Sequence, residues 1–299
     1  MKMNLLGASG LAVSEIGLGC MSLAKAGTAA DAIVHRALDL GVNFFDTADL
    51  YERGASEERL ARALGGRRGD VVIATKAGNR WRAGGAGWDW DPSPSHLRGA
   101  VEASLRRLRT DYIDLYQLHG GTIDDPIDDV IATFEALRRA GKIRAWGISS
   151  IRPNVIREYA ARSSIASVMM QYSVLDRRPE EQALPLLRDR GISVIVRGPV
   201  AKGLLAGKPA HADLGHDRER VAAVQQVLGD ASAAAGRTPA QSALRFALAA
   251  PAVATVIPGA SSLAQLQDNV AAAASNPLGA GEADALRAAA PAQHYTVHR

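Results

Sequence analysis

From Ile16 onward the chain alternates short apolar runs with longer stretches whose apolar residues fall three and four positions apart. The short runs are IGLG (Ile16 to Gly19), VNFFD (Val42 to Asp46), VVIATK (Val71 to Lys76), IDLYQLH (Ile113 to His119), AWGIS (Ala145 to Ser149), SVMMQ (Ser167 to Gln171), SVIVR (Ser193 to Arg197) and ATVIP (Ala254 to Pro258). Their length and β-branched content predict buried strands, whereas segments such as HLRGAVEASLRRLR and IDDVIATFEALRRAGKI carry the period of amphipathic helices. Strand followed by helix, eight times in 299 residues, predicts an α/β fold closed into a (β/α)8 TIM barrel, with an open doubly wound sheet as the alternative. Ahead of the first unit, MNLL and LAVSEI flank GASG, which predicts a short N-terminal β-hairpin closing the barrel bottom. Two long segments break the rhythm, Ala77 to Pro94 and Gly198 to Asp217, and long loops in a compact domain are usually functional. The Ala-rich stretch from Ala271 to Ala290 is expected to be a terminal helix, and with no linker or repeat the expectation is one domain over 1–299.

Composition adds boundaries. Hydrophobic residues make up 47% and charged residues 22%, a globular balance. The formal charge of +4 comes from 35 basic and 31 acidic residues that are interleaved along the chain, so no nucleic-acid-binding stripe is expected. One cysteine, Cys20, excludes an internal disulfide, fits a reducing compartment, and leaves no Cys/His metal cluster. The opening MKMNLLGASGLAV is too polar and too interrupted for a signal peptide or a spanning helix, so no membrane association and a cytoplasmic location are expected.

In such a barrel chemistry is built where strands end and βα loops begin. Asp46, Lys76 and His119 close the second, third and fourth strands, and Tyr51 follows in the loop after Asp46. A phenol is a reluctant proton donor at neutral pH, but a nearby ammonium favours its ionised form, and Lys76 could supply that charge. Asp46 would pair with Lys76, and His119 could hydrogen-bond a carbonyl oxygen. Taken singly, each has a plainer reading as a cap, a solvated charge or a packed ring. No side chain delivers hydride, so a nicotinamide cofactor is expected.

At these residues the chain resembles the aldo-keto reductase superfamily. LGASGLAVSEIGLGCM is similar to the family's opening hairpin and first strand, and NFFDTADLYERGASEERLARAL to its F-D-T-A-x-x-Y-G-x-S-E stretch. DYIDLYQLH, GKIRAWGISS, QYSVLDR, GLLAGK and VIPGASSLAQLQDN follow in the family's order. The resemblance implies a catalytic tetrad of Asp46, Tyr51, Lys76 and His119, with hydride passing from NAD(P)H to an aldehyde or ketone and Tyr51 as general acid. It implies an extended cofactor across the barrel mouth, without a Rossmann fold: Ser22 stands where a third fingerprint glycine would follow Gly17 and Gly19. The cofactor would pass Gly19, Cys20 and Met21. Its carboxamide would meet Ser149, Ser150 and Gln171, with Arg197 beneath the ring and Asp46 near the ribose. The pyrophosphate would lie under Gly198, Pro199, Val200, Lys202, Gly203 and Lys208, and the adenosine end against Gly259, Ser261, Gln265 and Asn269.

Departures from the family pattern refine this. Arg197 replaces an aromatic ring, and its charge would disfavour the oxidised, positive cofactor. Gly259 and Gln265 replace residues that grip the 2′-phosphate, so NADP(H) is expected with only moderate preference and NAD(H) remains open. Gly120 and Gly121, following His119, are expected to open that side of the pocket. Trp81, Trp88 and Trp90 could wall an apolar or sugar-binding pocket, which gives Trp88 and Trp90 as candidate substrate contacts, or could anchor their loop. The expected partner is therefore a small carbonyl or alcohol. Two further readings are a nucleotide-binding redox sensor or regulatory subunit on the same fold, and a TIM-barrel enzyme of unrelated chemistry such as a phosphate-handling lyase. The sequence leaves oligomeric state and physiological substrate open.

Overall fold

The computed structural model describes residues Met1 to Arg299. In chain order the strands are β1 (Met3–Leu5), β2 (Ala12–Ser14), β3 (Leu18–Gly19), β4 (Phe44–Asp46), β5 (Val72–Ala77), β6 (Asn79–Trp81), β7 (Trp88–Trp90), β8 (Ile113–Leu118), β9 (Ile143–Ser149), β10 (Ser167–Gln171), β11 (Ser193–Arg197) and β12 (Val253–Val256). The helices are α1 (Ala30–Asp39), α2 (Ala55–Leu64), α3 (Pro94–Leu108), α4 (Ile127–Arg139), α5 (Pro153–Arg162), α6 (Ala183–Asp189), α7 (Arg218–Ala234), α8 (Pro239–Leu248), α9 (Leu263–Ala271) and α10 (Ala280–Ala289). Eight strands form one parallel sheet in the order β12-β11-β10-β9-β8-β5-β4-β3. Parallel bridges from Ile16 to Val256 and from Gly19 to Gly259 join its two edges, so the sheet curls into the expected (β/α)8 barrel.

Strand alternation produces two cores. Phe44, Ala74, Leu115, Ala145, Met169 and Ile195 point inward and, with Leu6, Leu11 and Val13 of the β1–β2 hairpin, belong to a cluster of 13 buried residues. The opposite faces of the strands meet the helices in a cluster of 67. The Ser193 hydroxyl fastens the hairpin to the base of β11, accepting from the Gly7 amide at 2.8 Å and donating to the Leu5 carbonyl at 3.3 Å. The hairpin therefore plugs the bottom and leaves the other end open. No helix is long and apolar enough to cross a membrane.

Local signals set the helix starts. Ser93 accepts from the His96 amide with Pro94 at the first helical position of α3, Ser262 caps α9 in the same way, and Thr238 with Gln241 forms a capping box on α8. Two expectations change. The Ala-rich tail is not one helix: α9 ends at Ala271, and the segment containing Asn276-Pro277 separates it from α10, because proline disfavours helical geometry in the residue before it. The first long segment is not irregular either, since β6 and β7 pair antiparallel within it.

Candidate active site

The four strand-end residues converge at the open end of the barrel. Lys76 is fully buried; its ammonium donates to Asp46 at 2.7 Å and to the Thr47 carbonyl at 2.7 Å. Asp46 is 3% exposed. Tyr51 begins the turn after β4, tethered by its amide to the Ala48 carbonyl at 3.1 Å, and its ring centroid lies 5.1 Å from the Lys76 ammonium. His119 follows β8, its amide bonded to the Ala77 carbonyl at 2.7 Å, with its ring edge-on to Tyr51 at 5.9 Å. Burial alone would lower the Lys76 pKa, but the neighbouring Asp46 carboxylate and Tyr51 phenol outweigh it and hold the ammonium above its ordinary value. Burial, reinforced by the charges of Lys76 and Arg197, lowers His119 to about 3, so its imidazole is neutral across the physiological range.

The cofactor candidates fall on the same rim. Gln171 and Arg197 are register partners on β10 and β11, and the Arg197 guanidinium donates to the Gln171 amide oxygen at 2.9 Å. Ser149 ends β9; the Ser150 hydroxyl accepts from the Arg152 amide. After β11, Gly198 is at φ +64, and Ala201, Lys202 and Gly203 take successive positive φ values of 45°, 57° and 100° in a tight turn that follows Pro199 and Val200. Both lysines of this loop are engaged within it: Lys202 pairs with Asp213 at 2.7 Å, and Lys208 donates to the Lys202 carbonyl at 2.7 Å. Cys20 is buried and Met21 is exposed.

The adenosine-end candidates form two hydrogen-bonded pairs. Gln265 accepts from the Ser261 amide at 2.9 Å and hydroxyl at 3.0 Å, and Asn269 donates to the Gly259 carbonyl at 3.3 Å. A Cβ on Gly259 would fall 2.0 Å from the Ser22 oxygen, so glycine lets the turn after β3 press against the start of this segment.

The tryptophan hairpin divides into an anchored part and an exposed part. Trp90 donates to Asp125 at 2.9 Å, and its ring fills the space beside Gly78 and Gly120, where added Cβ atoms would approach within 2.6 Å and 3.1 Å. The expectation that Gly120 opens the pocket is thus corrected: the volume it releases is taken by Trp90. Trp88 is half exposed and packs edge-on against Trp81 at 5.6 Å. The Arg53 guanidinium lies 4.7 Å from the Trp81 ring and donates to the Gly85 carbonyl at 2.6 Å, tying the hairpin to the loop that carries Tyr51.

Two residues escaped the sequence reading. Arg53 gives no signal in the sequence, because its contacts depend on a hairpin formed within a stretch without strand periodicity. Gln117 did give one, since the period of two along β8 places it on the same face as His119, inside the barrel.

The Aldo/keto reductase family model matches residues 15–291. The chain is 48% identical to the uncharacterized oxidoreductase YqkF of Bacillus subtilis over 100% of both chains. It is 31% identical to probable aldo-keto reductase 1 of Glycine max, over 90% of this chain and 83% of the other. Among solved structures it is similar to the holo form of aldo-keto reductase AKR11C1 from Bacillus halodurans, with 51% identity, a TM-score of 0.95 and coverage of 100% and 99%. Against the apo form of that protein the TM-score is 0.86, at 47% identity with the same coverage. The glycerol dehydrogenase AKR11B4 from Gluconobacter oxydans gives 0.86 at 25% identity, covering 99% and 97%.

Proposed function

Because this chain belongs to the aldo/keto reductase family and is an oxidoreductase, we propose that it reduces an aldehyde or ketone with NAD(P)H, with Tyr51 protonating the substrate oxygen. The observation that carries this reading is the buried Asp46–Lys76 pair beside the Tyr51 ring at the barrel mouth. Aldo-keto reductases use nicotinamide cofactors, and when bound the nicotinamide supplies the hydride.

Lys76 stays charged because Asp46 faces it, and a fixed ammonium beside Tyr51 stabilises negative charge on the phenolic oxygen as its proton leaves. Thr47 accepts a second hydrogen bond from Lys76, which limits the ways its ammonium can turn. His119, neutral and poised edge-on to Tyr51, directs the substrate oxygen through a hydrogen bond rather than through charge.

The residues fit the cofactor. His119 Nδ1 is buried without a hydrogen-bond partner, a polar atom of the kind that a substrate or carboxamide group would satisfy. Ser149, Ser150 and Gln171 would hold the carboxamide, and Arg197 would stack beneath the ring and favour the reduced form. The turn from Gly198 to Lys208, with Pro199, Val200, Lys202 and Gly203, would cover the pyrophosphate, while Gly19 to Met21 would line the opposite side. Gly259, Ser261, Gln265 and Asn269 would receive the adenosine, with NADP(H) moderately preferred over NAD(H). The greater likeness to the holo than to the apo form of the Bacillus halodurans protein supports a mouth already shaped for a cofactor. Trp88 and its hairpin would wall the substrate.

Tyr51→Phe tests the reading. Carbonyl reduction should fall by at least a hundredfold while NADPH still quenches protein fluorescence with an unchanged Kd; turnover at the parent rate would refute the acid role, and failure to bind either nucleotide would refute the function.

A further inference from the structure

A functional histidine is commonly oriented by a hydrogen bond at the ring nitrogen that does not meet the ligand. In His119 the Nδ1 atom is buried with no such partner, so the ring takes its direction from its backbone and from what packs against it. That backbone is held on both sides of its Cα by the segment that follows Lys76. The His119 amide donates to the Ala77 carbonyl at 2.7 Å, and the His119 carbonyl accepts from the side-chain amide of Asn79 at 2.9 Å.

The second bond replaces one that the sheet cannot make. β5 and β8 run in parallel register up to Ala77 opposite Leu118. A ladder carried one step further would offer the His119 carbonyl the backbone N–H of residue 79. The chain leaves the barrel there instead: Gly78 turns at φ +127, and Asn79 pairs with Trp90 of the hairpin. The Asn79 side chain supplies the donor that the departing backbone withdraws. Beyond His119 the chain has little stiffness of its own. Gly120 and Gly121 hold φ of +136 and +121, and two adjacent glycines leave the preceding peptide free to turn. The next tethers lie further on, where Arg152 donates to the Gly121 carbonyl and Asp125 accepts from the Thr122 amide at 2.7 Å. Trp90 fills the volume beside Gly120, but its N–H is committed to Asp125. The hairpin therefore meets the His119 peptide through Asn79.

We infer that Asn79 is a positioning residue for His119: its amide N–H holds the peptide that carries the imidazole, and so sets the angle at which the ring meets a substrate oxygen. The inference rests on the proposed reductase function for its catalytic meaning, while the contact itself stands without it. A carbonyl only accepts, so the residue at position 79 must donate. Leucine has no donor there, and an ionised aspartate would face the carbonyl with a second acceptor.

The test compares the full chain with Asn79→Asp, which keeps the shape and removes the donor at neutral pH, and with Asn79→Leu, which removes polarity and keeps most of the volume. Both are made in the parent and in a His119→Gln background. The first readout is the His119 imidazole resonance in protein carrying carbon-13 histidine, assigned by its loss in His119→Gln. It should shift and broaden in both variants while those of the other histidines stay in place. Because a misplacement of about 1 Å can cost about a hundredfold in rate, kcat for carbonyl reduction should fall about ten- to hundredfold. KM and the NADPH Kd should remain within about twofold of the parent, since binding is not what the contact serves. In the His119→Gln background the same substitutions should change kcat by less than about twofold, because the residue through which Asn79 acts is gone. A merely structural role predicts equal factors in both backgrounds, a lowered Tm and an unmoved His119 resonance. That resonance unmoved in both variants, kcat within about twofold of the parent, or losses that multiply with that of His119→Gln would each overturn the inference. An absence of carbonyl turnover in the parent would instead refute the proposed function, and the imidazole resonance would still decide whether Asn79 positions His119.

Discussion

The Asp46–Lys76 pair makes a quantitative prediction, because both members are out of water and hydrogen-bonded. Lys76 is 0% and Asp46 3% exposed, and their charged atoms are 2.7 Å apart. Removing one member leaves the other buried and unpaired, which costs about 3–5 kcal/mol, whereas replacing both by apolar side chains of similar volume is often neutral or stabilising. With an unfolding entropy of about 2.1 cal/mol/K per residue, a loss of about 4 kcal/mol in a chain of 299 residues lowers Tm by about 6 °C. Asp46→Leu and Lys76→Met should each show this loss, and the double variant should recover most of it while remaining unable to reduce carbonyls. The single variants should differ in pH dependence. In Lys76→Met the unpaired carboxyl has a folded pKa raised above its unfolded value, so the variant is penalised above the unfolded pKa and regains stability as pH falls. In Asp46→Leu the unpaired ammonium has a depressed folded pKa, so the penalty is largest near neutrality and shrinks as the pH rises toward the ordinary lysine range. Thermal unfolding of the four proteins between pH 5 and 10 measures both effects. Single-variant losses below about 1 kcal/mol, or a double variant as unstable as the summed singles, would refute a tightly coupled buried pair.

Two further outcomes follow from the same geometry. His119, lowered to about 3 in the folded chain, binds its proton near 6.5 once unfolded, so it contributes stability above pH 6.5 that is lost at about 1.4 kcal/mol per pH unit as pH falls from 6.5 toward 3; His119→Gln should flatten that part of a urea-unfolding pH series, and an imidazole proton resonance titrating near 6.5 in the folded protein would contradict it. Arg53→Ala removes the bond to the Gly85 carbonyl and the contact with Trp81, so KM for aldehydes with bulky apolar tails should rise about five- to thirtyfold, equivalent to about 1–2 kcal/mol, with kcat held. A fall in kcat for all substrates, large and small, would show that Arg53 acts on Tyr51 rather than on the wall.

Much of this protein is written in local pattern. The period of two along Ile113 to His119 and its equivalents identifies barrel strands because adjacent side chains must face either the barrel interior or the helices. Capping groups such as Ser93 with Pro94, and Thr238 with Gln241, mark helix starts because they satisfy amides that the helix itself cannot. The four residues proposed for the chemistry are legible for the same reason: a polar side chain at the end of an apolar strand needs partners, and parallel strands bring their ends together. Matters that depend on which distant segment fills a space could not be read this way. Gly120 suggests an open pocket until the ring of Trp90 is seen to occupy it from a hairpin that pairs across an irregular-looking stretch. Lys202 and Lys208 suggest free positive charge until Asp213 and a backbone carbonyl engage them. The period of two puts Gln117 inside the barrel, but only strand register sets it beside Lys76 with both polar atoms unmatched. The sequence by itself determined the barrel, its hairpin plug and the residues at its mouth, because those follow from periodicity and strand order. Only the tertiary structure decided which charges are spent, which volumes are filled and which buried polar atoms remain unpaired, because packing and hydrogen-bond pairing are contests among residues far apart in the chain.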